Sequence, residues 1–320
     1  MNKKIIQKDP KKYDVEKEHK AGQDTGNNDL IIDKYYVGDK SKTNYDGFFK
    51  IYVYHSDGLI RRELSKGYLF DKVILIALWN VTPTNGTFID VGSNIGTIVV
   101  PMAKRAKQCY AFEPQKPIRL LLRKNKLANN VENIQIIKKA VGHYNGYANL
   151  DFRIIDHHGN EQKLEYTGTK KIDYGGVRLG IGGPKIKIMT IDSMKLTNLS
   201  SMKVDVEGAE PLVFYGAQET IKKFKPYIAF EKNYQILKSD SMDALKLTPE
   251  ILNFDIIKFV ESIGYKCILE IKLDNFMLFP SDIPNTNDPY FKYIPTNSFL
   301  NDKFTYTTLK KYRMLKPKWE

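Results

Sequence analysis

Cysteine is scarce in this chain: Cys109 and Cys267 are the only two in 320 residues. Two are too few for a disulfide framework, and they are not arranged as a metal-binding motif. That usage is expected of a protein kept in a reducing cytoplasm. Long apolar runs are also missing. The longest, such as Val73–Trp79, fall far short of the roughly 20 residues that a membrane span needs. The first twenty residues are charged almost throughout and lack the apolar stretch of a secretory signal. Negative charge is in deficit, with 37 Asp+Glu against 50 Lys+Arg and a formal net charge of +13. Such a balance favours anionic partners, nucleic acid among them, although a general abundance of lysine produces it equally well. No internal repeat is found.

What is present is material for a core, since hydrophobic residues make up 42% of the chain and aromatics 12%. Residues 1–28 read as a flexible charged arm. Residues 29–62 read as a β-rich preamble, because Phe49–Tyr54 is rich in β-formers and runs into the turn signal Ser56-Asp57-Gly58. Glu63–Asn80 has helical spacing. A regular alternation follows: strands at Thr87–Val91, Gln108–Phe112, Ile134–Ala140, Ile186–Ile191, Ser201–Val206 and Tyr227–Phe230, with helices at Thr97–Ala106, Ile118–Ala128, Pro211–Lys223 and Pro249–Ile263. Two closing segments, Lys266–Ile271 and Phe276–Phe279, read as an antiparallel hairpin. This rhythm predicts a doubly wound α/β sheet over residues 63–282. Asp156–Lys185, with seven glycines, interrupts the rhythm as a long loop and a candidate acceptor lid. Residues 283–320 form a tail ending in the basic, aromatic stretch Lys310–Glu320.

The most informative stretch is Phe88-Ile89-Asp90-Val91-Gly92-Ser93-Asn94-Ile95-Gly96. An apolar strand delivers a carboxylate to its end, and a glycine-flanked turn opens a helix, where open α/β sheets hold their ligands. A dinucleotide site would need glycine at positions 94 and 97 to seat a pyrophosphate. Asn94 and Thr97 stand there instead, so the turn suits a nucleoside without pyrophosphate. Gln108–Phe112 then ends in Glu113-Pro114, placing an acid where ribose hydroxyls are bound, about 20 residues past the turn.

Taken together, FIDVGSNIG at Phe88–Gly96, YAFEPQ at Tyr110–Gln115, the segment Val131–Gly142, MTIDSM at Met189–Met194 and MKVDVEGAE at Met202–Glu210 resemble the FkbM family of S-adenosylmethionine-dependent methyltransferases. Gly216-Ala217 and Lys225–Glu231 extend the resemblance, which runs from about Gly86 to Glu231. It implies a class I fold, a Rossmann-like, mostly parallel seven-stranded sheet whose last strand is antiparallel. It also implies S-adenosyl-L-methionine as cofactor and O-methylation as chemistry. Carried onto this chain, Asp90, Gly92, Ser93, Asn94 and Gly96 surround the methionine end, Glu113 binds the ribose, and Ala140-Val141 lies near adenine.

Asp205, Glu207 and Glu210 crowd the end of a predicted buried strand, and Glu231 ends the next. Methyl transfer to a hydroxyl needs an in-line acceptor and usually a base. Asp205 is the first choice of base or substrate-orienting group, with Glu207 and Glu231 as further catalytic candidates. Alternatively Asp205 and Glu207 only bind the cofactor's ammonium or cap the helix at Pro211. Asp205, Glu231 and Asn233 resemble the metal ligands of catechol-type O-methyltransferases, but the spacing is not that family's and no metal is assigned. His143, His157, His158 and Asn233 are candidate substrate contacts. The expected acceptor is a glycan or other small hydroxylated molecule. An RNA 2′-O-methyltransferase is the alternative, with Lys203 a poor and Lys232 a better catalytic lysine. A non-catalytic cofactor-fold protein is the third reading.

Overall fold

The computed structural model describes residues 17–18, 32–37, 49–55, 57–67, 69–155, 161–163, 174–232, 242–272 and 275–280. Its centre is a seven-stranded sheet built from β1 (Thr87–Val91), β2 (Gln108–Phe112), β3 (Ile134–Ile137), β4 (Ser201–Val204), β5 (Tyr227–Glu231), β6 (Cys267–Lys272) and β7 (Asn275–Phe279). The spatial order is β6-β7-β5-β4-β1-β2-β3. β7 runs antiparallel to both neighbours, and the pairs from β5 through to β3 are parallel. The sequence expectation of a doubly wound sheet with an antiparallel last strand is met, with the hairpin partner β6 outermost.

β1 and β4 lie in the middle and are buried on both faces, as parallel strands covered by helices must be, with Asp90, Ser201 and Lys203 their buried polar members. β4 is buried throughout, and its Ser201 hydroxyl is satisfied by the Thr82 hydroxyl at 2.6 Å. The helix Lys116–Ala128 buries Ile118, Leu121, Leu122 and Asn125, a single stripe at helical spacing. Asn125 is the polar member of that stripe. Its amide accepts from Tyr52 N (2.6 Å) and donates to Tyr52 O (3.0 Å) and Ile95 O (2.8 Å). One turn on, the Asn129 amide holds Lys50 in the same two-way manner. The strand Phe49–Tyr54 is thereby hydrogen-bonded along its edge to a helix, and it pairs antiparallel with Ile32–Val37. Buried Asp33 accepts from Arg61 Nε at 2.6 Å and lies 2.9 Å from His55 Nδ1, tying this small sheet to the helix Leu59–Ser65. Lys17–Glu18, within the segment read as an arm, pairs with Ile32 and Asp33.

Several expected elements are subdivided. Glu63–Asn80 is two helices, Leu59–Ser65 and Lys72–Val81, separated where Gly67 and Asp71 take positive φ of 82° and 57°. The helix expected over Thr97–Ala106 is regular only at Val99–Met102. Pro211–Lys223 splits into Glu210–Tyr215 and Gln218–Phe224, and Pro249–Ile263 into Pro249–Leu252 and Ile256–Ser262. β3 stops at Ile137, and Ala140–Val141 joins a second, four-stranded sheet. That sheet is ordered Arg178–Gly180, Gly146–Asp151, Lys185–Met189, Ala140–Val141. Part of the stretch read as a glycine-rich loop is therefore sheet. Gly183 is needed there for close approach: a Cβ would lie 2.3 Å from the Leu150 carbonyl oxygen. No helix among the described residues is long and apolar enough to cross a membrane.

Candidate active site

The carboxyl ends of β1, β2, β4 and β5 meet on one edge of the sheet, and each delivers an acid. From β1 comes Asp90, fully buried. Neither of its carboxylate oxygens has a hydrogen-bond partner, and Lys203 Nζ stands 3.8 Å away. Burial pushes its carboxyl up to about 6, against the pull of the Lys203 ammonium. The turn after β1 is tightly made. Gly92 N and Ser93 N both donate to Phe112 O (3.1 and 2.9 Å), and Gly96 N donates to Ser93 O at 2.8 Å. The Ser93 hydroxyl donates to Asp90 O. Gly92 has φ +78°, and a Cβ on it would fall 1.8 Å from the Asp205 carbonyl oxygen. Only glycine lets the β1 turn and the end of β4 lie this close.

From β2 comes Glu113, 3% exposed. One oxygen accepts from Asn94 N (3.1 Å), the other from Gln115 N (2.8 Å). Burial pushes this carboxyl up to about 7 although both backbone donors favour its charge. An ionised carboxylate accepts about four hydrogen bonds, so Glu113 retains capacity for two hydroxyls. Asn94 itself adopts φ 47°, consistent with its place at the tip of the turn.

β4 contributes a lysine as well as an acid. Lys203 is 5% exposed, with Nζ 2.9 Å from Asp205 Oδ2 and 3.3 Å from Gly92 O. Burial opposes its charge, but Asp205 and Asp90 together hold its proton more firmly than usual. Past β4 the chain turns sharply, with Glu207 at φ 56° and Gly208 at φ 96°. Oxygens of Asp205, Glu207 and Glu231 lie within 4.8 Å of one another. β4 ends at Val204, so the left-handed turn, not strand alternation, brings Asp205 and Glu207 together. Burial and the neighbouring Asp205 carboxylate push Glu231 well above the usual carboxylate range. Glu210 closes the set. It accepts from Val206 N at 2.8 Å with one oxygen, while the other is buried without a partner. Burial raises it to about 8.

The remaining predicted positions separate from this cluster. Ala140 and Val141 are buried in the second sheet, paired with Ile188 and Met189. His143 sits between the Tyr144 and Tyr215 rings (4.8 and 6.5 Å), at the opposite end of the helix Glu210–Tyr215 from the acids. Burial lowers its pKa. Tyr174, within the candidate lid, is 2% exposed and packs on Tyr54 at 5.5 Å. His157, His158 and Asn233 lie outside the described residues. In the sequence, Glu210 stands in the acid cluster and Lys203 ranks only as a poor catalytic lysine; the pairing of Lys203 with Asp90 and Asp205 is what sequence reasoning misses.

Whether the edge fits a nucleoside sulfonium can be judged from its own groups. A buried acid whose oxygens lack hydrogen-bond partners (Asp90), a buried acid with spare acceptor capacity (Glu113) and a glycine cradle stand together. The oxygens of Asp205, Glu207 and Glu231 lie close to one another, with Lys203 on Asp205. A ligand carrying two cationic centres and a ribose meets those needs.

This strand order, with a glycine turn after β1 and a buried acid after β2, defines a class I S-adenosylmethionine-dependent methyltransferase. The model of the Methyltransferase FkbM domain matches residues 90–267. The chain belongs to that family. It is similar to the crystal structure of Methyltransferase FkbM from Methylobacillus flagellatus KT, at 16% identity over 62% of this chain and 44% of that one, with a TM-score of 0.37. It is also similar to a SAM dependent methyltransferase from Aquifex aeolicus, at 13% identity over 69% of this chain and 92% of that one, TM-score 0.34. A curated relative from Methanosphaera stadtmanae, named "Probable ribosomal RNA small subunit methyltransferase A", is 38% identical over 76 residues. Those residues are 23% of this chain, and the match spans 28% of the relative's length.

Proposed function

We propose that the enzyme transfers a methyl group to a hydroxyl of a glycan or another small hydroxylated acceptor. The observation that carries this reading is the carboxylate cluster of Asp205, Glu207 and Glu231 at the ends of β4 and β5. When bound, S-adenosylmethionine supplies an electrophilic methyl on a sulfonium. A hydroxyl attacking it must lose a proton, so an acid group with raised proton affinity belongs beside it. Asp205 is held by the Lys203 ammonium at 2.9 Å and is suited to orienting the hydroxyl. Glu231, pushed upward by burial and by Asp205, is suited to accepting the proton. In this reading Asp90 and the Gly92–Gly96 turn hold the methionine end, Glu113 the ribose, and Ala140-Val141 borders adenine.

The domain division 63–282, preceded by residues 29–62 and followed by 283–320, is part of the same proposal, with 156–185 as acceptor lid. RNA 2′-hydroxyls are the second reading, favoured by the net charge of +13 and by the local similarity to the archaeal relative. The test is a transfer assay with methyl-labelled cofactor over glycans, small polyols and RNA. Label on a glycan or polyol oxygen supports the first reading, and label confined to RNA replaces it with the second.

A further inference from the structure

A cleft of about 600 Å³ opens between the turn after β2, the first turn of the helix Lys116–Ala128 and the second sheet. Five cations line it, Lys116, Arg119, Lys138, Lys185 and Lys187, and no carboxylate does. They come from three separate elements, so they are not the solvated face of one helix. Among the described residues none of the five is ion-paired. Arg119 feels the Glu113 carboxylate and donates to the Glu113 and Pro114 carbonyl oxygens, and Lys185 Nζ lies over the Tyr147 ring. The five like charges gathered on one cleft still favour an anion, and the positive end of a 13-residue helix adds to them.

A second feature points the same way but asks for a different group. Gln115, 7% exposed, also lines the cleft. Its Nε2 donates to Tyr174 O at 3.0 Å, whereas its Oε1 is buried with no partner. Orphan buried acceptors are rare and call for a donor. A sugar hydroxyl supplies one. Leu150 and Phe152 complete an apolar wall. The volume lies within the usual range for small-ligand sites, about 300–1,000 Å³. A polynucleotide would instead need cations continued along a track.

We propose that this cleft binds a small sugar phosphate, its phosphate held among the five cations and one of its hydroxyls donating to Gln115 Oε1. Occupancy is independent of methyl transfer, so its test does not require the acceptor to be known. Titration calorimetry on the full chain compares glucose 6-phosphate, glucose and inorganic phosphate, with and without saturating S-adenosylhomocysteine. Glucose 6-phosphate should bind more tightly than either simpler probe, and equally well with the nucleoside present. The surface double variant Lys185→Glu/Lys187→Glu should weaken glucose 6-phosphate at least about tenfold, the loss expected for removed charge-assisted contacts, and leave S-adenosylhomocysteine affinity unchanged. Displacement of glucose 6-phosphate by S-adenosylhomocysteine would show that the cleft is the nucleoside pocket and overturn the proposal. So would a variant that binds glucose 6-phosphate as the wild type does, or a single-stranded oligonucleotide that outcompetes the sugar phosphate.

Discussion

Lys203 Nζ lies 2.9 Å from Asp205 Oδ2, just past the end of its own strand, and also reaches within 3.8 Å of Asp90 on the neighbouring strand. One buried ammonium therefore links the acid after β1 to the acid after β4. Removing it leaves both uncompensated. Lys203→Met should destabilise the protein by about 3 kcal/mol, the lower end for breaking a buried pair, measured by urea unfolding. The loss should shrink below pH 6, where Asp90 becomes neutral. A loss that is the same at pH 5 and pH 8 would show that packing, not charge, sets it.

The cofactor-free protein should lose stability as pH rises. In the folded state Asp90 is raised from 3.8 to about 6, Glu113 from 4.5 to about 7 and Glu210 from 4.5 to about 8. Between about pH 4 and pH 8 the folded state thus holds more protons than the unfolded one, and stability falls across that window. Thermal unfolding should show Tm decreasing from pH 5 to pH 8. A rising Tm over that range would contradict these three environments.

Glu113→Gln keeps the side-chain shape but puts an amide NH2 against one of two backbone N–H donors, those of Asn94 and Gln115. S-adenosylhomocysteine affinity should drop by about 1–3 kcal/mol. Unchanged affinity would remove Glu113 from the ribose site. Gly92→Ala offers an independent check, because its Cβ meets the Asp205 backbone and should displace the strand end along with cofactor binding.

Glu231→Gln and Asp205→Asn separate proton transfer from orientation. Each should lower turnover by about 10²–10⁴-fold if it acts in the proton-transfer step, with cofactor affinity little changed. Combined loss of cofactor binding and activity in Asp205→Asn would assign that residue to the cofactor instead. The close oxygens of Asp205, Glu207 and Glu231 are also the kind of set that holds a hard cation. Full activity in EDTA is the expected result, and activity lost to chelator and restored by Mg²⁺ would assign the cluster to a metal.

The sheet and its turn were legible because they are local. Thr87–Val91 runs into a glycine turn and carries Asp90, and Gln108–Phe112 is followed by Glu113, so the ligand edge follows from sequence spacing, whereas the seven-stranded sheet was implied by the family resemblance. The second sheet was legible only in part: its strand Lys185–Met189 reads from the sequence as Ile186–Ile191 within the main rhythm. Arg178–Gly180 is three residues, and its pairing with Asn149–Asp151 is a long-range contact without a periodic signal. The split of Glu63–Asn80 was hidden for a related reason. Leu64, Leu69 and Val73 keep helical spacing across a break made by the backbone at Gly67 and Asp71. In the site, each acid could be named from the sequence, but the role of Lys203 in pairing two of them could not, since it ranks there only as a poor catalytic lysine. Lys203 reads as a misplaced charge in an apolar strand until the fold sets Asp90 beside it.

The most direct measurement is transfer of an isotopically labelled methyl group from S-adenosylmethionine to a panel of hydroxylated glycans and polyols, with the position of the label read by NMR. Label on an acceptor oxygen, lost in Glu231→Gln while S-adenosylhomocysteine still binds, is the predicted result. Label found only on RNA, or label on glycan oxygen undiminished in Glu231→Gln, would contradict it.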